Sequence, residues 1–194
     1  MSRGISKRTK KLTLGAMLAA IGAVLLLLGS LFQVIDLSMA AIASFVCIIA
    51  VIELGSRWAW MIYAVVGLIS VLLRPTSFAP WVYVAFLGYY PIIKEKIERL
   101  NKYVAWALKM LSFNAALIIC CAVAYFFFTP EAPESIFDFF NTLLGLPSAG
   151  TAVAAALYVF VNFVFIVYDI ALTRLISLYI FRLRDRLKFL NVNK

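Results

Sequence analysis

Histidine is missing from all 194 residues, which removes the commonest general base and the usual zinc and haem ligand. Acids are scarce as well, with nine Asp and Glu against 18 Lys and Arg. The three cysteines, Cys47, Cys120 and Cys121, lie inside apolar runs with no C-x-x-C spacing, so they read as small buried hydrophobes and not as metal ligands. No Ser/His/Asp or Cys/His set, paired-glutamate protease motif, P-loop or phosphotransferase aspartate cluster is present. The chain is therefore expected not to be an enzyme, and to use no cofactor and no metal. Without a nucleotide site of its own, it must take the energy for any uphill movement of a solute from elsewhere. Neither an internal repeat nor a low-complexity linker divides it.

What is abundant is apolar sequence. The chain is 65% hydrophobic and 14% charged, with a mean hydropathy of +1.01, which places it outside soluble proteins. At about 20 apolar residues per crossing, with short loops, this length holds roughly five or six spans and no separate soluble domain. The expectation is an all-α integral membrane protein in contact with membrane lipid. Its net charge of +9 raises nucleic acid as a partner, but the basic residues flank the apolar runs instead of forming a stripe with interleaved aromatics. No nucleic-acid role follows, and these residues are expected to set topology and touch anionic lipid.

In chain order, the head from Met1 to Lys11 carries Arg3, Lys7, Arg8, Lys10 and Lys11 and no acid, which predicts a cytoplasmic N-terminus. A basic region ahead of an apolar run also describes a signal peptide, but this run of about 20 residues exceeds the usual h-region, so the segment is expected to stay as a helix. Helix 1 reaches Phe32, helix 2 covers Met39–Leu54 and helix 3 covers Trp58–Leu73. Arg74 to Pro80 is an outer loop with two prolines. Helix 4, Trp81–Ile93, is short and leads to Lys94–Lys102, a mixed-charge interfacial helix with Ile93, Ile97 and Leu100 at helical spacing. Helix 5 covers Val104–Phe128. An acidic outer segment, Thr129–Ser148, carries Glu131, Glu134 and Asp138, and helix 6 begins near Ala149. With six transmembrane helices, N-in and C-in, every Lys and Arg except Arg74 falls on the cytoplasmic side or at its edge. The result is a single membrane domain over residues 1–194: a basic head 1–11, a six-helix bundle 12–181 and a basic cytoplasmic tail 182–194.

Helix 1 has two unlike sides. Gly15, Ala16, Ala19, Gly22 and Ala23, with Ala20 at the margin, occupy roughly half of its wheel, and Met17, Leu18, Ile21, Val24, Leu25 and Leu28 fill the other. Helices in lipid associate by close van der Waals approach, which small residues at four-residue spacing permit. The ridge is a packing surface, either for other helices of this chain or for a partner.

Polar groups inside apolar spans are costly and so are functional candidates. On helix 6, Thr151, Ala155, Tyr158, Asn162, Asp169 and Thr173 lie in one arc, and on helix 5 Asn114, Cys121 and Tyr125 share a face. At 1.5 Å per residue, Asn114 and Asn162 both fall near mid-bilayer. They either bridge the helices as structural glue or line a ligand cavity. Asp169 falls near the cytoplasmic interface, where it either pairs with Arg57 or Arg174 or serves as a proton relay. Glu53 precedes Arg57 by four residues and is expected to pair with it. Arg74, with Phe78, Trp81 and Tyr83 nearby, either holds an anionic or aromatic ligand or snorkels to the interface.

The basic start followed by Lys11-Leu12-Thr13-Leu14 and Ala16-Met17-Leu18-Ala19-Ala20, on the first of six helices in just under 200 residues, resembles the substrate-binding S components of energy-coupling factor (ECF) transporters. The resemblance implies an S-component-like bundle in the bacterial cell membrane, multi-pass, that captures a vitamin or related micronutrient from outside. It implies a transmembrane coupling subunit with two cytoplasmic ATPases as partner, docked on Ala16, Ala19, Ala20 and Ala23, with Gly15 on the same ridge. The ligand would lie in the outer half, near Trp81, Tyr125, Tyr158, Asn114 and Asn162. The alternative is a non-transporting bacterial membrane scaffold of envelope or cell-shape machinery, similar in size to the rod-shape-determining membrane subunit. A third reading, a self-powered carrier, would work through Asp169.

Overall fold

The computed structural model describes residues 2–32, 35–127 and 150–183, with side chains for 8–32, 35–124 and 155–182. The acidic segment Thr129–Ser148, the side chains of Tyr125 and Thr151 and the tail beyond 183 lie outside the described residues. Among the described residues all regular structure is helical. The order is α1 (Ser2–Leu31), α2 (Asp36–Leu54), α3 (Ser56–Leu73), α4 (Phe78–Val82), a π-helical turn (Tyr83–Leu87), α5 (Tyr90–Ile97), α6 (Lys102–Phe127), α7 (Gly150–Leu178) and a second π-helical turn (Tyr179–Leu183). Helix is what such apolar sequence must adopt in lipid, because every backbone N–H and C=O has to be paired within its own segment. Among the described residues five stretches are long and apolar enough to cross a membrane: Arg8–Leu31, Asp36–Leu54, Ser56–Leu73, Lys102–Ala124 and Ala155–Arg182.

The core is asymmetric. Half of the most apolar stretch of α2 is buried, against 17% for those of α6 and α7, so α2 is the central post and α6 and α7 stand at the periphery. Helix α1 packs on α2 and α3 through Leu14, Gly15, Leu18, Gly22, Ala23 and Leu26, all buried. A Cβ on Gly22 would lie 3.1 Å from Val66 Cγ2, and one on Gly29 would lie 2.6 Å from Met39 Cβ. Neither site has room for a larger side chain, because the backbone of α1 is drawn against its neighbours there. Gly15, Gly22 and Ala23 on the small-residue ridge are thus consumed within the chain. Ala19 is half-buried, and Ala16 and Ala20 lie on the exposed edge.

Gly55 separates α2 from α3 at φ +94°, ψ 162°, backbone space that only glycine occupies at no steric cost. Its N–H donates to the carbonyls of Ala50 and Val51, both at 3.1 Å. This break removes the expected Glu53–Arg57 pair, since the four-residue spacing brings side chains together only on a continuous helix. Glu53 is buried, with its Oε1 accepting from the Tyr179 hydroxyl at 3.3 Å, while Arg57 is exposed.

The segment expected as a short helix over Trp81–Ile93 followed by an interfacial helix over Lys94–Lys102 is instead one interrupted helical run from Phe78 to Ile97. Pro91 has no N–H to give the carbonyl of Leu87, and its ring crowds that carbonyl. The chain widens just before it into the π-turn, closed by Gly88 N–H donating to Tyr83 O at 2.8 Å. One extra residue in a turn rotates everything after it by about 100°. That rotation accompanies the burial of Lys94, which is fully inside the bundle and not on its surface.

Candidate functional site

Two features stand out where α4 to α7 meet. The first is a ring of four charges. The Lys94 ammonium contacts Asp169 Oδ1 and also donates to Asp169 O at 2.9 Å and Thr173 Oγ1 at 2.8 Å. Lys109 Nζ donates to Asp169 Oδ2 at 2.9 Å, and Glu98 Oε1 lies 3.1 Å from Lys109 and 3.2 Å from Lys94. The Tyr90 hydroxyl donates to Asp169 Oδ1 at 2.7 Å. Positive and negative groups alternate around a closed circuit, so the formal charge is zero. The side chains of Lys94, Asp169 and Lys109 are 1%, 6% and 8% exposed, while that of Glu98 is 42% exposed. Three acceptors on α7 meet the Lys94 ammonium beside its contact with Glu98, which ties α7 to α5 at this end of the bundle.

Asp169 therefore pairs with Lys94 and Lys109, not with Arg57 or with Arg174, which is exposed. The pairing with Arg57 or Arg174 does not form because Lys94 and Lys109 are both buried beside the Asp169 carboxylate. A signal was available. Lys109 is the lone charge inside the helix 5 run and Asp169 the lone acid inside the helix 6 run, and oppositely charged residues in neighbouring spans pair when they can.

The second feature is an apolar cleft of about 480 Å³ between α2, the α4–π run, α6 and α7. Leu37, Ser38 and Phe78 stand where α2 and α4 begin, and Phe86, Phe113, Phe165 and Tyr168 form the opposite end. The rings of Phe113 and Phe165 stack with centroids 4.4 Å apart, and Phe86 meets Phe113 edge-on at 5.2 Å. Tyr90 lies against both Phe86, at 4.7 Å, and Phe165, at 5.5 Å. Tyr90 thus packs its ring behind the aromatic floor of the cleft and places its hydroxyl in the charged ring.

No protein-family model, curated protein or solved structure matches the chain. What it does must be argued from this geometry.

The structure brings together three of the expected ligand residues. Tyr158 donates its hydroxyl to Asn114 Oδ1 at 2.7 Å, and the Asn114 amide reaches Asn162 Oδ1 at 3.5 Å. Both amides also donate one turn back along their own helices, Asn114 to Met110 O and Asn162 to Tyr158 O. This clasp joins α6 to α7, and none of the three lines the cleft. The polar stripe of α7 thus serves two contacts, Tyr158 and Asn162 against α6, then Asp169 and Thr173 against α5.

Arg74 and Trp81 are drawn into the turns at the end where α2 and α4 begin. Arg74 donates from Nε to Ser30 Oγ and from Nη2 to Ser30 O, both at 3.2 Å, and so closes the C-terminal end of α1. A cation at that position also meets the negative end of the helix dipole. Trp81 Nε1 donates to Pro75 O at 2.9 Å. Beside them Asp36 Oδ2 accepts from Ser77 Oγ at 2.8 Å and from Ala79 N–H at 3.3 Å, which stitches the α1–α2 turn to the start of α4. Arg74→Ala is expected to lower stability by about 1.5–3 kcal/mol, the usual scale for a hydrogen bond that involves a charged group. The thermal midpoint of detergent-solubilised protein reads this, and an unchanged midpoint would remove Arg74 from the fold's support.

Proposed function

We propose that the chain is a substrate-capturing membrane protein that takes a small molecule into the cleft and passes it to a partner that supplies the energy, the role an S component plays in an ECF importer. The observation that carries this reading is the cleft itself. Its volume of about 480 Å³ falls in the range of small-molecule sites, which are concave, mostly apolar and largely preformed. In this reading α4, the π-turn and α5 together make a sixth crossing, with both termini in the bacterial cytoplasm, where the positive-inside rule would place the basic flanks. The cleft then lies in the outer half. The exposed edge of α1, with Ala16 and Ala20, is the face left for a transmembrane coupling subunit and its two ATPases.

The test is purification of the full chain in mild detergent, followed by mass spectrometry of retained small molecules and proteins. The expected result is one small molecule at near-stoichiometric amount together with a coupling subunit. Ala116→Phe, which points a ring into the cleft from α6, should reduce occupancy by about tenfold or more, a loss of roughly 1.4 kcal/mol per decade. A chain that retains no molecule, and whose binding properties do not respond to filling the cleft, would refute capture. Recovery of envelope proteins alone would then favour a scaffold role, which the internal use of Gly15, Gly22 and Ala23 also suits.

A further inference from the structure

We propose that the ligand of the cleft is lipophilic: a hydrocarbon chain, acyl or isoprenoid, fills it, and any polar end stays at the mouth beside Ser38. This rests on the capture reading above and names the chemistry of what is captured. Of the fifteen lining residues only Ser38, Cys120 and Tyr168 carry a polar side-chain atom. Ser38 is exposed at the mouth. The Tyr168 hydroxyl is already bonded to Ser44 Oγ at 3.0 Å, and Ser44 in turn donates to Ala41 O at 2.6 Å. A thiol is only a weak hydrogen-bonding group, so Cys120 adds little.

A water-soluble ligand carries several donors and acceptors that water satisfies, and each one left unmet in this lining costs about tenfold in affinity. A hydrocarbon leaves nothing unmet. Nor does the charged ring below the floor offer an ionic partner. Its two ammonium groups and two carboxylates neutralise one another, and Phe86, Phe113 and Phe165 stand between it and the cleft. An anionic group on the ligand has no counter-charge inside, so it must remain at the open end. Trp81, Arg74, Asn114 and Asn162, expected near the ligand, are spent on turns and on the α6–α7 clasp.

The test uses photolabelling of the full chain in phosphatidylcholine vesicles. One arm carries palmitate with a mid-chain diazirine, and a second carries phosphatidylcholine with the same group in its acyl chain. Peptide mapping is expected to place adducts on cleft residues such as Phe113, Leu117 and Phe165. Labelling should saturate near one adduct per chain, fall about tenfold with excess unlabelled chain, and fall likewise in Ala116→Phe and in Ala41→Phe, which fills the cleft from the opposite wall. Two variants are used so that either may be discarded if it does not elute as a monodisperse protein. Labelling from the first arm alone identifies a free amphiphile, and labelling from the second identifies a bilayer lipid. Both outcomes uphold the hydrocarbon class.

Adducts confined to outward-facing residues such as Leu111, Ile118, Val159 and Phe163 would overturn it. So would a polar, water-soluble molecule that co-purifies at stoichiometric amount and is lost in Ala116→Phe, and in that case capture would stand while the ligand class fell. With neither kind of molecule bound, both readings fail together.

Discussion

Asp169→Leu is expected to destabilise the bundle by about 3–5 kcal/mol, the scale for removing one partner of a buried ion pair. The change leaves the two ammonium groups of Lys94 and Lys109 in the interior with Glu98, 42% exposed, as their only carboxylate. Lys94 also loses its contact with Asp169 Oδ1, and the Tyr90 hydroxyl loses its acceptor. What singles out the charge balance from mere loss of packing is a second substitution. Lys109→Met added to Asp169→Leu restores neutrality, with Lys94 and Glu98 left as a pair, and should recover a large part of the loss even though it deletes another side chain. Equilibrium unfolding of the single and double variants reads the coupling between the sites. Additive losses would show that the four groups do not act as a ring.

Gly22→Leu should cost about 1–3 kcal/mol or more, the penalty of forcing bulk into a filled interface, because even a Cβ there lies 3.1 and 3.4 Å from the two Val66 methyl groups. Ala20→Leu, two residues earlier and on the exposed edge, should change stability by less than about 0.5 kcal/mol. The pair separates the two uses of helix α1. If Ala20→Leu leaves the isolated chain intact but weakens recovery of a coupling subunit, the exposed edge is the docking face. If both variants unfold alike, α1 is an internal helix throughout and offers no separate docking edge.

Composition and periodicity made much of the architecture readable. The apolar runs of α1, α2, α3, α6 and α7 are long enough for lipid, and lipid leaves such runs no conformation but helix. Asp36 and Arg74 could be placed at helix ends because polar residues interrupt the apolar pattern there. The pairing of Asn114 with Asn162 was legible too, since both are amides at matching depth on consecutive long helices, and the structure joins them with Tyr158 added.

Other contacts depended on facts that no wheel projection carries. Lys94 follows Pro91 in what reads as the exit from a helix, and its burial goes with the π-turn before it. Glu53 and Arg57 look like a four-residue pair until Gly55 breaks the helix between them. The small residues of α1 from Gly15 to Ala23 read as either an inward or an outward ridge, and close approach to Val66 decided the matter for Gly22.

By itself, then, the sequence determined that its long apolar runs are helical, that it has no histidine, and that one lone acid, Asp169, sits in the last of those runs. Those are properties of residue types and of their order, and they hold whatever the helices touch. The tertiary structure alone decided that Asp169 meets Lys94 and Lys109, that Arg74 closes α1, and that an apolar cleft opens between α2, α4, α6 and α7. Each depends on how a helix is rotated about its axis, and a π-turn, a proline or a single glycine sets that rotation by tens of degrees, which hydrophobic period does not report.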